Sequence, residues 1–165
     1  ASFKRLLKDE ANALLIMIGG ERNHVESHQI AQTIKEACNA NHNMLWLGGN
    51  QPATDYLLLA DFFCLSSLFE GMPISLIEAF ATGCVPVCTP VGGVPEIMDG
   101  NDFIAEDITE PAFYHALQSA YSCPKEKLDA LKKQFTELFN ERYTMKHCAS
   151  HYEQLYKNLL HNKTK

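Results

Sequence analysis

The sequence predicts an α/β fold: an open, parallel, Rossmann-like sheet with helices on both faces. Strand-like and helix-like stretches alternate over roughly the first hundred residues. The strand candidates are unbroken apolar runs, as expected of parallel strands covered on both sides. Glycine pairs follow three of them, at Gly19-Gly20, Gly48-Gly49 and Gly92-Gly93, on what would be one edge of the sheet.

Taken in order, Ser2 to Asp9 reads as the end of a helix, and Ala13 to Ile18 as a buried strand. Glu21 to His28 is polar and reads as loop. Ile30, Ile34, Ala37 and Cys38 then recur at helical spacing. Met44 to Leu47 is a second short strand. Thr54 to Ala60 suits a short helix with Thr54 as its cap. Phe62 to Leu65 is a third strand. Pro73 to Thr82 is a helix, with proline in its first turn and Gly83 at its stop. Val85 to Cys88 is a fourth strand, which Pro86 assigns to an edge or terminal position.

Pro95 to Met98 holds one or two turns, and Phe103-Ile104 suggests a last short strand. Pro111 to Tyr121 opens a helical region. Leu128, Leu131, Phe135 and Leu138 mark a second helix there, and Met145, Cys148, Tyr152, Leu155 and Leu159 a third. His161 to Lys165 is a polar tail. The expected organisation is a single domain over 1–165, with an α/β core at 1–110 and C-terminal helices at 111–161. A helix comes first, so the first strand of the sheet is expected upstream of Ala1.

The 165 residues suffice for one sizeable core. An apolar fraction of 46% and a charged fraction of 21% argue against disorder. The net charge of −6, with no stripe of Lys and Arg, argues against nucleic acid as a partner. No signal peptide or membrane span is read, so a cytoplasmic, reducing location is expected. Cys64, Cys84 and Cys88 lie in or beside predicted buried strands, where a thiol packs as a small hydrophobe. His147 and His151 are spaced i, i+4 on a helix but have no evident third ligand, so no metal site is expected. Trp46 is read as core rather than as a base-stacking platform, and Phe63 and Phe69 as core rather than as packing against a ligand.

The chemistry concentrates in Ser66 to Met98, which starts at the carboxyl end of a parallel strand, where open α/β sheets bind ligands. The loop Ser67 to Met72 feeds a helix whose first turn, with Pro73, Ile74 and Ser75, presents unpaired amides suited to a phosphate. Glu78 lies among Ile74, Leu76, Ile77, Ala79, Phe80 and Ala81, so both helix faces look covered around it. A carboxylate there needs a partner, solvent or a ligand. It suits a ribose diol, and it equally suits a glutamate emerging between loops. Glu70 precedes Gly71, which suggests a close backbone approach or a special dihedral; a surface turn is the plainer reading. Two carboxylates flanking a sugar also suggest hydrolysis, given an acid of raised pKa.

The run Glu70-Gly71-Met72-Pro73, then Glu78-Ala79-Phe80-Ala81-Thr82-Gly83, Val85-Pro86-Val87, Thr89, Gly92-Gly93 and Glu96 resembles the C-terminal domain of family 4 glycosyltransferases of the GT-B fold. Glu70 and Glu78 match its E-x7-E pair, and Ser66-Ser67 its small polar pair. Leu15 to Gly20, Asn43 to Gly48 and Tyr152 to Tyr156 resemble further parts of that domain. The resemblance implies retaining transfer of a hexosyl group from a UDP- or GDP-sugar, with no metal or other cofactor. It implies that Glu78 binds the donor ribose. It implies that Glu70 is catalytic and, with Ser67, Gly71, Met72, Pro73 and Ile74, holds the sugar and diphosphate. Gly19, Gly20 and Gly48 are expected to border the donor, with the loop after Gly48 near the base.

Three departures stand out. The family's Arg and Lys pair after its first strand has no counterpart. The N-terminal acceptor domain is absent. Asp102-Phe103-Ile104 lacks the usual glycine. The first two fit truncation, so the fragment is expected to be inactive alone. The acceptor domain is the expected partner and a peripheral tie to the inner membrane face. A bare sheet edge is expected to support a homodimer. The alternatives are a sugar-nucleotide epimerase or phosphorylase of the same architecture and a non-catalytic α/β ligand-binding domain.

Overall fold

A computed structural model describes residues 1–21, 23, 25–98, 100 and 103–162. Asp102 and the tail 163–165, about which the sequence raised expectations, lie outside these described residues. The chain runs α1 (Ser2–Asp9), β1 (Leu15–Met17), α2 (Val25–Asn39), β2 (Met44–Trp46), α3 (Ala53–Leu59), β3 (Phe62–Leu65), α4 (Ile74–Thr82) and β4 (Val85–Cys88). It continues with α5 (Val94–Met98), α6 (Glu110–Tyr121), α7 (Lys125–Leu138), a π-helical segment (Phe139–Tyr143) and α8 (Met145–Asn162).

The strands are parallel, as their apolar runs predict, but among the described residues they form two separate pairs, β1–β2 and β3–β4. Leu15 is in register with Met44, and Phe62 with Val85. Strand β4 is buried along its whole length and packs against α4, α6 and α7. The Val85 and Thr89 amides donate to the Asp61 and Leu65 carbonyls on the β3 side. The Cys88 amide instead donates to Phe103, and the Ala105 amide returns to the Cys88 carbonyl. Strand alternation therefore turns the Pro86 nitrogen to the Phe103 side, where pairing begins only at a single Cys88–Ile104 bridge. The proline thus occupies the unpaired side that its missing N–H requires.

The β1–β2 pair departs from the expected coverage. Leu15, Met17, Met44 and Trp46 share the face that α2 covers, while Ile16 and Leu45 on the other face are exposed, as is Leu14. The expected buried run over Ala13 to Ile18 therefore shrinks to a three-residue strand with one bare face. Its start is tied by Asn43, whose side-chain amide donates to the Ala11 and Ala13 carbonyls, both at 2.9 Å. Cys64 on β3 is also exposed, against expectation, whereas Cys84 and Cys88 are buried. Burial pushes both of those thiols up to about 12, so they stay protonated and pack as small hydrophobes.

Several helix boundaries shift. Helix α2 starts at Val25, inside the expected loop, so His28 is helical. Helix α3 starts at Ala53 after Pro52; Thr54 lies within its first turn and makes no capping bond. Pro73 precedes α4 rather than opening it, and Gly83 ends α4 in the left-handed conformation. Helix α6 is capped by the Thr109 hydroxyl and packs on both β4 and α1. At the α1 contact the Ser2 hydroxyl donates to Glu110 at 3.0 Å, Arg5 pairs with Glu110 at 3.2 Å, and the Arg5 guanidinium lies 3.9 Å from the Tyr114 ring centre.

The core is centred on Phe80 of α4, which stacks on Phe135 of α7 with ring centres 4.6 Å apart. Both rings are fully buried. Helix α8 is the opposite case: Met145, Cys148, Tyr152, Leu155 and Leu159, the set expected to form its apolar stripe, are all exposed. Phe80→Ala is expected to cost about 3–5 kcal/mol in chemical denaturation, because it opens a cavity in a packed core. Leu155→Ala on α8 is expected to change stability by less than about 0.5 kcal/mol in the same experiment.

Candidate functional site

The loop between β3 and α4 begins where the sheet ends. Thr89, just past β4, is almost entirely buried, and its amide donates to the Leu65 carbonyl at 2.9 Å. Its hydroxyl donates to the Ser67 carbonyl at 2.6 Å. A buried hydroxyl and a loop carbonyl are thereby both satisfied. The Ser67 hydroxyl in turn donates to Glu70 Oε1 at 2.7 Å. Glu70 is half-buried and held from the strand end outward: Thr89 fixes Ser67, and Ser67 fixes the carboxylate.

The glycine that the sequence singles out beside Glu70 is not the one that matters sterically. Gly71 has a φ outside the left-handed region, and a Cβ there would meet nothing within 4 Å. The close approach is at Gly92, with φ +54°, whose absent Cβ makes room for the Glu70 carbonyl. The Gly93 amide donates to the Gly71 carbonyl at 2.9 Å. The contact of the two loops thus runs through Thr89, Gly92 and Gly93, which the sequence offers as a turn or a ligand approach after the fourth strand and as part of the run that carries the family resemblance.

Helix α4 follows with no side chain capping its N-terminus. Leu76 donates back to the Pro73 carbonyl, so the open donors belong to the residues ahead of it. Glu78 is exposed and its carboxylate has no bonding partner among the described residues. The expectation that both faces of α4 are covered around Glu78 is thus corrected. Leu76, Ala79 and Phe80 are buried on one face, and Ile74, at 64% exposure, stands on the open side with Glu78. The helix has a single core to face, so the charged residue solves its desolvation problem by pointing to water.

Gly19, Gly20, Gly48 and Gly49 meet at the end of the β1–β2 pair. The Gly19 amide donates to the Gly48 carbonyl at 2.9 Å, and a Cβ on Gly49 would lie 3.2 Å from the Gly20 Cα. Gly48 has φ +72°, which favours glycine there. Trp46 is not core: its ring nitrogen donates to the Gly19 carbonyl at 2.9 Å, and Lys35 lies over its ring at 5.5 Å. It lines a hollow of about 230 Å³ with Gly19, Gly20, Ser27, Ile30 and Ile34. Glu21 also borders that hollow, and a hydrogen bond from His28 holds its carboxyl below the usual range.

A second hollow of about 200 Å³ lies among Met98, Gln134, Phe135 and Leu138. Neither hollow is lined by Glu70 or Glu78. On the loop that bears Glu70, Leu68, Phe69 and Met72 stand exposed, Phe69 at 87%. The expected core position of Phe69 is therefore wrong, for the loop projects away from the packed layer. Phe63 does pack against the core.

A family model described as glycosyl transferases group 1 matches residues 1–147. The putative teichuronic acid biosynthesis glycosyltransferase TuaC of Bacillus subtilis (strain 168) is 50% identical over 48 residues, 29% of this chain and 12% of that protein. The N-acetylgalactosamine-N,N'-diacetylbacillosaminyl-diphospho-undecaprenol 4-alpha-N-acetylgalactosaminyltransferase of Campylobacter jejuni is 30% identical over 109 residues, 64% of this chain and 29% of that protein. Among solved structures, the sucrose-phosphate synthase of Thermosynechococcus elongatus superposes with a TM-score of 0.80 at 19% identity, over 98% of this chain and 42% of that one. A glycosyltransferase of Rickettsia africae ESF-5 superposes with a TM-score of 0.78 at 15% identity, over 94% of this chain and 42% of that one. At these identities the likeness to the solved structures is one of fold. The chain spans less than half the length of these structural relatives.

The hydroxyl of Thr89 has a specific energetic consequence. Thr89→Val keeps the shape and removes the donor, leaving the Ser67 carbonyl without its bond. The expected loss is about 1–3 kcal/mol in thermal or chemical denaturation.

Proposed function

The chain belongs to the glycosyl transferases group 1 family, with the fold of GT-B glycosyltransferases, and from that premise we propose that it is the donor-binding part of a retaining hexosyltransferase. One observation carries the reading. A carboxylate fixed by Ser67 stands at the end of a parallel strand, and the loop that bears it leads into an uncapped helix with a second, unpartnered carboxylate on its open side. Carboxylates accept hydrogen bonds from sugar hydroxyls, and helix-terminal amides donate to phosphates. A nucleoside diphosphate joined to a sugar offers both kinds of group in one molecule.

In this proposal Glu78 accepts from the ribose diol. The amides of Gly71, Met72 and Ile74 and the first turn of α4 meet the diphosphate. Glu70 orients the transferred sugar through its hydroxyls and steadies positive charge as it develops at the anomeric carbon. The bond from that carbon to the diphosphate breaks, and a bond to an acceptor hydroxyl forms on the same face. The acceptor's proton passes to the departing phosphate oxygen, which also steers the acceptor. Helix-terminal amides stabilise the growing negative charge on the leaving group. Gly19, Gly20 and Gly48 border the donor beside the base.

The curated relatives are named for teichuronic acid biosynthesis and for a sugar transferred to a diphospho-undecaprenol-linked glycan. We accordingly propose a role in polysaccharide assembly, with the acceptor held by a second domain across the open surface of Glu70 and Glu78. Among the described residues no helix is long and apolar enough to cross a membrane.

Calorimetric titration with UDP and GDP checks the proposal. One of them is expected to bind, and Glu78→Ala is expected to weaken it at least tenfold, about 1.4 kcal/mol. Equal binding by parent and variant would overturn the ribose assignment.

A further inference from the structure

We propose that Gly92 is a positioning residue for Glu70, acting through the backbone of the β3–α4 loop without touching the donor. The proposal rests on the donor-site reading of Glu70 given above. A Cβ at position 92 would lie 2.0 Å from the Glu70 carbonyl oxygen and 2.7 Å from both the Glu70 carbonyl carbon and the Gly71 carbonyl oxygen. All three obstructing atoms are backbone, so no rotation of a side chain relieves the contact. The loop has to move, or the turn after β4 has to move.

The same turn grips the loop twice more. The Thr89 hydroxyl holds the Ser67 carbonyl at 2.6 Å, and the Gly93 amide holds the Gly71 carbonyl at 2.9 Å. Residues on both sides of Glu70 are thus fixed by one five-residue segment, 89–93, whose first member is anchored to β3 through Leu65. Ser67 then fixes the carboxylate itself. The location of Glu70 relative to the sheet is set by how closely the two backbones approach, and Gly92 sets that distance.

The test compares Gly92→Ala with Gly100→Ala. Gly100 has φ +76° and open space around its Cβ position, so its alanine variant carries the left-handed strain without the collision. Amide chemical shifts of residues 67–72, hydrogen exchange of the Gly93 amide, and titration with UDP and GDP are read in both. In Gly92→Ala the shifts of 67–72 are expected to move, Gly93 exchange to accelerate at least tenfold, and the nucleotide to bind at least tenfold more weakly. Gly100→Ala is expected to keep parental values for all three, even where both variants lose the same amount of Tm. A folded Gly92→Ala protein with parental shifts at 67–72 and parental Gly93 exchange overturns the proposal. Should Gly92→Ala not fold, Thr89→Val supplies the second arm: displaced shifts at Ser67 to Glu70 support positioning by the turn, and unchanged shifts refute it. A parent that binds neither nucleotide counts against the donor reading, while the amide measurements still decide whether Gly92 sets the loop.

Discussion

The site depends on one close approach, between the turn after β4 and the loop after β3. These segments are far apart along the chain and meet because β3 and β4 pair in parallel and end at the same level, Leu65 opposite Cys88. Two loops leaving one sheet edge must either diverge or share their backbone polar groups. Here they share them, through Thr89, Gly92 and Gly93. The arrangement needs a buried hydroxyl that donates to the Ser67 carbonyl, and a residue with no Cβ. Everything proposed for Glu70 follows from where that contact leaves it.

Much of this was legible in the sequence, and the exceptions share a cause. The alternation of elements, the parallel strands and the stop of α4 at Gly83 follow from local pattern, and the structure reproduces them. Pro86 was placed correctly because a missing N–H restricts a strand position whatever surrounds it. What failed was burial. Ile16, Leu45, Cys64 and Phe69 read as interior because apolar residues in strands and beside them usually are, yet each is exposed. Trp46 likewise lines a hollow rather than filling the core. Apolarity reports a tendency to be covered. It does not say by which element, and for β1–β2 the covering among the described residues comes from α2, on one face.

The site shows the same division. The two glutamates and the loop joining them stand out as sequence because charge in an apolar run demands an explanation. Gly71 drew attention as the neighbour of Glu70, yet it has open space, and the steric need lies at Gly92. Their local sequences differ, Gly71 standing between Glu70 and Met72 and Gly92 between Val91 and Gly93, but neither context reveals a close approach. The distinction arises only when two loops from different strands are laid side by side. A tertiary contact of that kind is legible once pairing is known, since it follows from the register of β3 with β4.

The charge of the molecule sharpens what the site must do. With 14 basic and 20 acidic residues the domain carries a net −6, and two of its acids flank the proposed path of an anionic diphosphate. The net charge of this domain does not favour an anion, so in the proposed donor role local geometry has to separate attraction from repulsion. Helix α4 provides that separation. Glu78 lies four residues after Ile74, a rise of roughly 6 Å along the axis. Helical side chains lean toward the N-terminus, which brings its carboxylate back along the open face while the amides point out of the helix end. In the proposed donor role, hydroxyls and phosphates of one ligand would meet different groups at a distance fixed by helical rise. A longer or differently phased spacing between loop and acid would place the carboxylate against the diphosphate, where the half-charge of the helix end could not offset it.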